Sequence, residues 1–224
     1  MALNDGYYVT KRLDLFGGCG PWNSSEWTQQ NDSVRGSTLF IPPSGVCAVF
    51  SGNLDTKTLG GTGFASQRTT EERIWDLSDY QGVEFLVKPW GCEDIPLTSS
   101  NPPTNKTYSF NIKDVLPDRY IENGTVLENS TLEYQANFTP SEDIASDGGR
   151  VVLPFESFEA NYRGRPQNGT ELNLSNIRRF SLMVRSFFGP QEGEFRLVIS
   201  SRIRFSANPS FRPPWHDCSM QKYI

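Results

Sequence analysis

The chain has 224 residues, a net charge of −5 and a single histidine, and 36% of its residues are apolar. That length suits one all-β domain, and no run approaches the roughly 18 apolar residues that span a bilayer as a helix. An acidic chain without clustered Lys and Arg excludes nucleic acid as a partner, because a phosphate-binding surface needs such clusters.

No helical period is found along the chain. Short runs alternating apolar and polar residues recur instead, at 37–41, 46–53, 63–69, 82–88, 107–113, 131–138, 150–154, 177–185 and 193–205. In the fifth run Tyr108, Phe110 and Ile112 share one face, while Ser109, Asn111 and Lys113 share the other. In the eighth, Phe180, Leu182 and Val184 oppose Ser181, Met183 and Arg185. Gly, Pro, Asn and Asp cluster between the runs, where turn dihedrals are required. Nine strands with polar turns predict an all-β fold, a two-sheet β-sandwich or jelly roll, occupying residues 1–224 as one domain. Two segments break the rhythm. Residues 89–106, with Pro96, Pro102 and Pro103, read as a loop excursion, and residues 208–224, with Pro209, Pro213, Pro214 and Trp215, as an extended tail.

Four cysteines, Cys19, Cys47, Cys92 and Cys218, are widely spaced and contain no CxxC pair of the kind that zinc or thioredoxin-like redox work uses. Cys92 and Cys218 fall in the two irregular segments and could pin the tail, leaving Cys19 with Cys47. Four cysteines allow three pairings, and spacing does not choose among them. Asn-X-Ser/Thr sequons begin at Asn23, Asn31, Asn105, Asn123, Asn129, Asn137, Asn168 and Asn173. This composition would give roughly two or three by chance, and each is a potential glycan acceptor. The start, Met1-Ala2-Leu3-Asn4-Asp5-Gly6, is neither a secretory signal nor an Arg-rich transit peptide. Paired cysteines with excess sequons predict a secretory or extracellular location with a signal peptide removed; the alternative is a cytosolic or mitochondrial chain with free thiols.

The residues exclude several chemistries. His216 stands alone in the Pro-rich tail, so a Ser-His-Asp or Cys-His triad is disfavoured, and no ligand set for zinc or iron is present. Gly60-Gly61-Thr62-Gly63 is a turn into a strand, with no helix after it to receive phosphate. No metal and no cofactor is expected. Asp32, beside Asn31 and Arg35, reads either as an acid, base or ligand anchor or as an Asx-type turn. Glu133, Gln135 and Asn137 share a strand face opposite Tyr134, Ala136 and Phe138. Arg163 and Arg165, flanking Gly164, are placed either to clamp an anion or to pair with surface carboxylates.

Four segments carry a family resemblance. Gly61-Thr62-Gly63-Phe64-Ala65-Ser66-Gln67-Arg68 leads into a strand; Leu77-Ser78-Asp79-Tyr80-Gln81-Gly82-Val83-Glu84-Phe85 is a turn entering another. Val152-Leu153-Pro154-Phe155-Glu156-Ser157-Phe158 precedes Arg163-Gly164-Arg165, and the run from Ile177 pairs in pattern with the run from Gly193. In order and spacing these resemble the CIA30 family, that of complex I intermediate-associated protein 30, over residues 13–205. The resemblance implies a fold similar to galactose-binding-like jelly rolls, which include carbohydrate-binding modules. Departures lie in rim loops. Asp32-Ser33-Val34-Arg35-Gly36-Ser37 lacks the family's second glycine, a Gly-Asp-Gly turn is replaced by the 89–106 excursion, and Arg150 stands where a Trp is expected.

A concave sheet face is the expected ligand site. Asp32, Arg35, Asn111 and Gln135 are the candidate catalytic or charge-stabilising groups. Trp27 and Tyr108 are candidate stacking surfaces, with Asn137, Arg163, Arg165, Met183 and Arg185 as further ligand contacts. Trp27, Tyr108 and Met183 fit core packing equally well. The leading expectation is a sandwich that binds a small-molecule or sugar ligand, or a protein partner, without metal or nucleophile chemistry. The alternatives are a cofactor-independent cyclase or isomerase that folds its substrate, a complex I assembly chaperone, and a carbohydrate-binding module.

Overall fold

Alternation of large apolar side chains with small or polar ones drives these runs into strands, because each strand can then turn its apolar face to the core and its polar face away from it. The computed structural model describes residues 12–17, 21–31, 37–57, 63–70, 73–88, 91–92, 95–96, 106–140 and 149–206. In chain order the strands are β1 (Arg12–Gly17), β2 (Trp27–Asn31), β3 (Ser37–Phe40), β4 (Cys47–Leu54), β5 (Phe64–Thr69) and β6 (Gly82–Val87). There follow β7 (Gly91–Cys92), β8 (Ile95–Pro96), β9 (Tyr108–Lys113), β10 (Arg119–Glu122), β11 (Thr125–Glu128) and β12 (Glu133–Phe138). The last five are β13 (Arg150–Pro154), β14 (Glu159–Tyr162), β15 (Arg165–Pro166), β16 (Arg179–Arg185) and β17 (Gly193–Ser206). Among the described residues the only helical elements are single 3-10 turns at 24–26, 155–157 and 174–176.

Two antiparallel sheets face each other. One runs β13-β6-β17-β4-β3, with β1 also paired to β17. The long β17 makes this possible: its first part pairs with β4, its last part with β1, and β6 follows along the opposite side. The second sheet runs β15-β14-β12-β9-β16-β5-β2. The result is a jelly-roll sandwich. Each of the nine predicted runs is a strand here, with ends moved by no more than two residues. The excursion at 89–106 departs from expectation in one respect, since β7 and β8 pair as a minimal hairpin inside it. The tail at 208–224 lies outside the described residues.

The core between the sheets is aromatic. Phe50, Phe85, Tyr108, Phe110, Phe180 and Phe195 are fully buried. Phe110 stacks on Phe180 with ring centres 5.9 Å apart, and Phe85 meets Phe138 edge-on at 5.1 Å. Each such ring contributes about 2–3 kcal/mol of burial free energy. One polar strut crosses the core edge: Gln67 Nε2 donates to the carbonyl of Ser37 at 2.8 Å, and Ser37 Oγ donates to the carbonyl of Ser66 at 2.9 Å. A second, smaller apolar cluster of Cys47, Val49 and Val198 lies on the other face of the first sheet. Cys47 is disulfide-bonded, and its partner's side chain falls outside the described residues. Arg150, in the position where a Trp was expected, donates from Nη2 to Glu84 at 2.5 Å, and both are buried.

Candidate functional site

The outer face of the second sheet is built by the same alternation that fills the core. In β12 the side chains of Tyr134, Ala136 and Phe138 go inward, so Glu133, Gln135 and Asn137 go outward. Register then lines residues up across strands. Gln135 lies opposite Asn111, Asn111 opposite Ser181, and Ser181 opposite Arg68. The next row is Asn137, Ser109, Met183 and Ser66. On one side of these rows lie Glu133, Lys113 and Arg179, and on the other Arg185.

The two middle rows are uncharged at their centre, and they hold polar atoms without protein partners. Gln135 is 3% exposed, and neither its Oε1 nor its Nε2 bonds to the protein. Asn111 is 1% exposed; its Nδ2 reaches only the Met183 sulfur at 3.7 Å, and its Oδ1 has no donor. Ser66 is fully buried with its Oγ unpaired. Ser109, by contrast, donates to Asn137 Oδ1 at 2.6 Å. Buried polar atoms are normally satisfied, and each left unpaired costs about 1–3 kcal/mol. Four such atoms on one face point to a ligand that supplies the missing donors and acceptors.

The flanking charges neutralise one another. Glu128 accepts from Arg179 at 2.8 and 3.1 Å, from Arg68 at 3.3 Å and from Arg119 at 3.4 Å. Burial works to raise its carboxyl, but the bonds and charge of Arg179, with Arg68 behind, outweigh it and hold the group below the usual carboxylate range. This cluster ties the β10–β11 hairpin to one end of the sheet. Lys113 Nζ donates to Thr131 Oγ1 at 2.9 Å and lies 3.8 Å from Glu133. Burial raises the Glu133 carboxyl against the pull of Lys113 and Arg185, and burial also lowers the Lys113 amine. At the other end the Arg185 guanidinium sits 4.5 Å from the centre of the Phe187 ring.

Of the residues singled out from sequence, Asn111, Gln135, Asn137, Met183 and Arg185 come together on this face. Tyr108 does not: it points into the core, against Phe50, Phe138 and Phe195. Trp27 is likewise buried, with Phe16 at 4.6 Å and Trp22 at 6.3 Å between ring centres. Neither can stack on a ligand, because each is consumed by packing. Arg163 and Arg165 flank the β14–β15 turn at the sheet edge, where Arg163 Nε donates to Ser130 Oγ at 3.1 Å. Both are exposed and form no clamp over the middle rows. Asp32 and Arg35 lie outside the described residues. Ser66, Ser109 and Ser181 were missed; strand alternation alone would have found Ser109 and Ser181, which share faces with Asn111 and Met183. Among the described residues no group of three His, Cys, Asp or Glu side chains is placed to hold a metal ion.

An antiparallel jelly roll with a polar outer sheet face defines a binding β-sandwich. The chain belongs to the family of complex I intermediate-associated protein 30 (CIA30), which it matches over residues 19–199. It is 38% identical to an uncharacterized protein of Schizosaccharomyces pombe over 209 residues, covering 89% of this chain and 86% of that one. Among solved structures it is similar to the family 11 carbohydrate-binding module of Clostridium thermocellum in complex with a mixed-linked tetrasaccharide. That likeness has 16% identity and a TM-score of 0.47, covering 80% of this chain and 88% of that chain. The Emp47p carbohydrate recognition domain gives 11% identity and a TM-score of 0.32, covering 87% and 94%.

Proposed function

We propose that the chain is a binding protein that takes a neutral, hydroxyl-rich ligand on the outer face of its seven-stranded sheet. The observation that carries this is Gln135, buried with both polar atoms unpaired, directly across from the unpaired Oδ1 of Asn111. An amide offers a donor and an acceptor side by side, which matches a hydroxyl that must do both. The neutral middle rows favour an uncharged ligand, since the flanking carboxylates and cations already pair with each other. Calorimetric titration with neutral oligosaccharides tests the reading. Binding that is lost in Gln135→Ala and Asn111→Ala supports it; undiminished binding in both variants sinks it.

A second reading is favoured by the β10–β11 hairpin, where the exposed Ile121 and Val126 lie directly across from each other. Such an apolar patch suits a protein partner, and the family's description supports an assembly role alongside complex I intermediates. Co-migration of the chain with respiratory complexes on native gels, lost in Ile121→Asp, would favour it. Compartment separates the two. The disulfide at Cys47 supports an oxidising one, where the secretory reading places the chain.

A further inference from the structure

The asparagines of this chain divide into two groups that the structure treats differently. Six of those that begin a sequon have described side chains: Asn23, Asn123, Asn129, Asn137, Asn168 and Asn173. All six are exposed, and none donates its Nδ2 to another protein group. The described asparagines outside sequons are Asn53, Asn111, Asn161 and Asn176, and all are buried or half-buried. Three of them spend their Nδ2: Asn111 on the Met183 sulfur, Asn161 on the Glu159 carbonyl and Asn176 on the Asp114 carbonyl. Sequon asparagines therefore keep the very nitrogen that glycosylation modifies free and facing solvent.

Local geometry and position add to this. Asn23 and Asn173 each cap a 3-10 turn, and each accepts at Oδ1 from the hydroxyl of its own sequon serine, Ser25 or Ser175, at 2.8 Å. That bond holds the carboxamide oxygen inward and turns Nδ2 outward. Asn123 occupies the β10–β11 turn at φ 51°, and Asn129 follows the same hairpin. Asn168 lies in the loop after β15, and Asn173 leads into β16. Three of the five lie near the end of the sandwich where β5 finishes and β16 begins: Asn129 N–H donates to Asp118, Asn173 N–H to Asp114, and Ser25, beside Asn23, accepts from Thr70 just after β5. Asn137 alone sits on the polar face, tied to Ser109.

We propose that Asn23, Asn123, Asn129, Asn168 and Asn173 are N-glycosylated, so that the glycans stand on turns and loops and none grows from the middle rows of the polar face. The co-reactant is an oligosaccharide activated at its anomeric carbon as a glycosyl pyrophosphate. In the transfer the asparagine nitrogen forms the new C–N bond and loses one amide proton. The anomeric C–O bond breaks, and the pyrophosphate leaves with its electron pair. The inference stands independently of the ligand reading.

The test uses the full chain isolated from its own cells. It is treated with a peptide N-glycosidase in heavy-oxygen water, so that every occupied asparagine becomes a mass-tagged aspartate, and is then digested and sequenced by mass spectrometry. Tags at the five positions are expected, with Thr125→Ala and Ser175→Ala each removing only the tag at Asn123 or Asn173. Recovery of these positions as plain asparagine overturns the proposal. A sixth tag, at Asn137, would support glycosylation while counting against the ligand face, since a glycan there would lie over Ser109.

Discussion

Replacing Gln135 with methionine removes two buried polar atoms that have no partner in the protein, while keeping an unbranched side chain of similar length. Each unpaired buried polar group costs about 1–3 kcal/mol, and exchanging it for an apolar group of like shape recovers much of that. Gln135→Met should therefore stabilise the free protein by about 1–2 kcal/mol, raising Tm by about 2–8 °C in a domain of this size. The same change abolishes the proposed binding. Gln67 provides the internal control, because it is buried too but donates to the Ser37 carbonyl at 2.8 Å and to the Ser37 hydroxyl at 3.1 Å. Gln67→Met leaves those acceptors unpaired and should destabilise by about 1–3 kcal/mol. Urea unfolding of the two variants beside the parent chain reads both effects as shifts in midpoint at constant slope. If Gln135→Met loses stability as Gln67→Met does, the glutamine is a structural group and the argument from unpaired atoms fails.

Glu128, held below its ordinary range by Arg179 and Arg68 against the effect of burial, contributes stability above the ordinary glutamate range that is lost as pH falls through its folded value. Glu128→Gln should thus destabilise at neutral pH and make acid unfolding shallower, as seen in midpoints measured across a pH series. Gly149, at φ 79°, has the Val87 carbonyl oxygen only 2.0 Å from where a Cβ would stand. Gly149→Ala should cost at least about 3 kcal/mol in strain and in the displaced β13–β6 pairing, read by thermal unfolding. Arg150→Ala removes two of the bonds to the fully buried Glu84, at 2.5 and 3.2 Å, and a loss of about 3 kcal/mol is expected in the same assay. Arg150→Ala with Glu84→Gln should recover part of it.

The strands of the sandwich were legible because apolar and polar residues alternate along them. The alternation is unbroken in 108–113, and in 179–185 Met183 is the one apolar residue on the polar side, although both faces of these strands are buried. What escaped were β1, β2 and β14, together with the shortest elements. β10, β11 and β15 are exposed along most of their length, so no apolar alternation marks them. β5 was read in place, yet its pattern conceals its faces. Gln67 points inward to brace Ser37, and Ser66 points outward, so both faces read as polar. The site divides along the same line. Asn111 and Gln135 could be paired on one face by counting residues, while Tyr108 could have been rejected by the same count. It lies three positions from Asn111, and odd spacing in a strand means opposite faces. Residue type suggested a stacking platform there, and geometry forbids it. Trp27 offered no such warning: a lone aromatic at the start of an edge strand shows its burial only once Phe16 and Trp22 are folded against it.

The central claim is that Gln135 and Asn111 receive a ligand, and their side-chain amide resonances report this most directly. We would titrate isotope-labelled chain with neutral oligosaccharides and follow the Gln and Asn side-chain N–H signals, assigned by single substitution. The account predicts saturable shifts at Gln135 and Asn111, smaller ones at Asn137, and none at Gln67, which faces the core. Shifts confined to the β10–β11 hairpin, or saturable binding that leaves Gln135 and Asn111 unmoved, would contradict it.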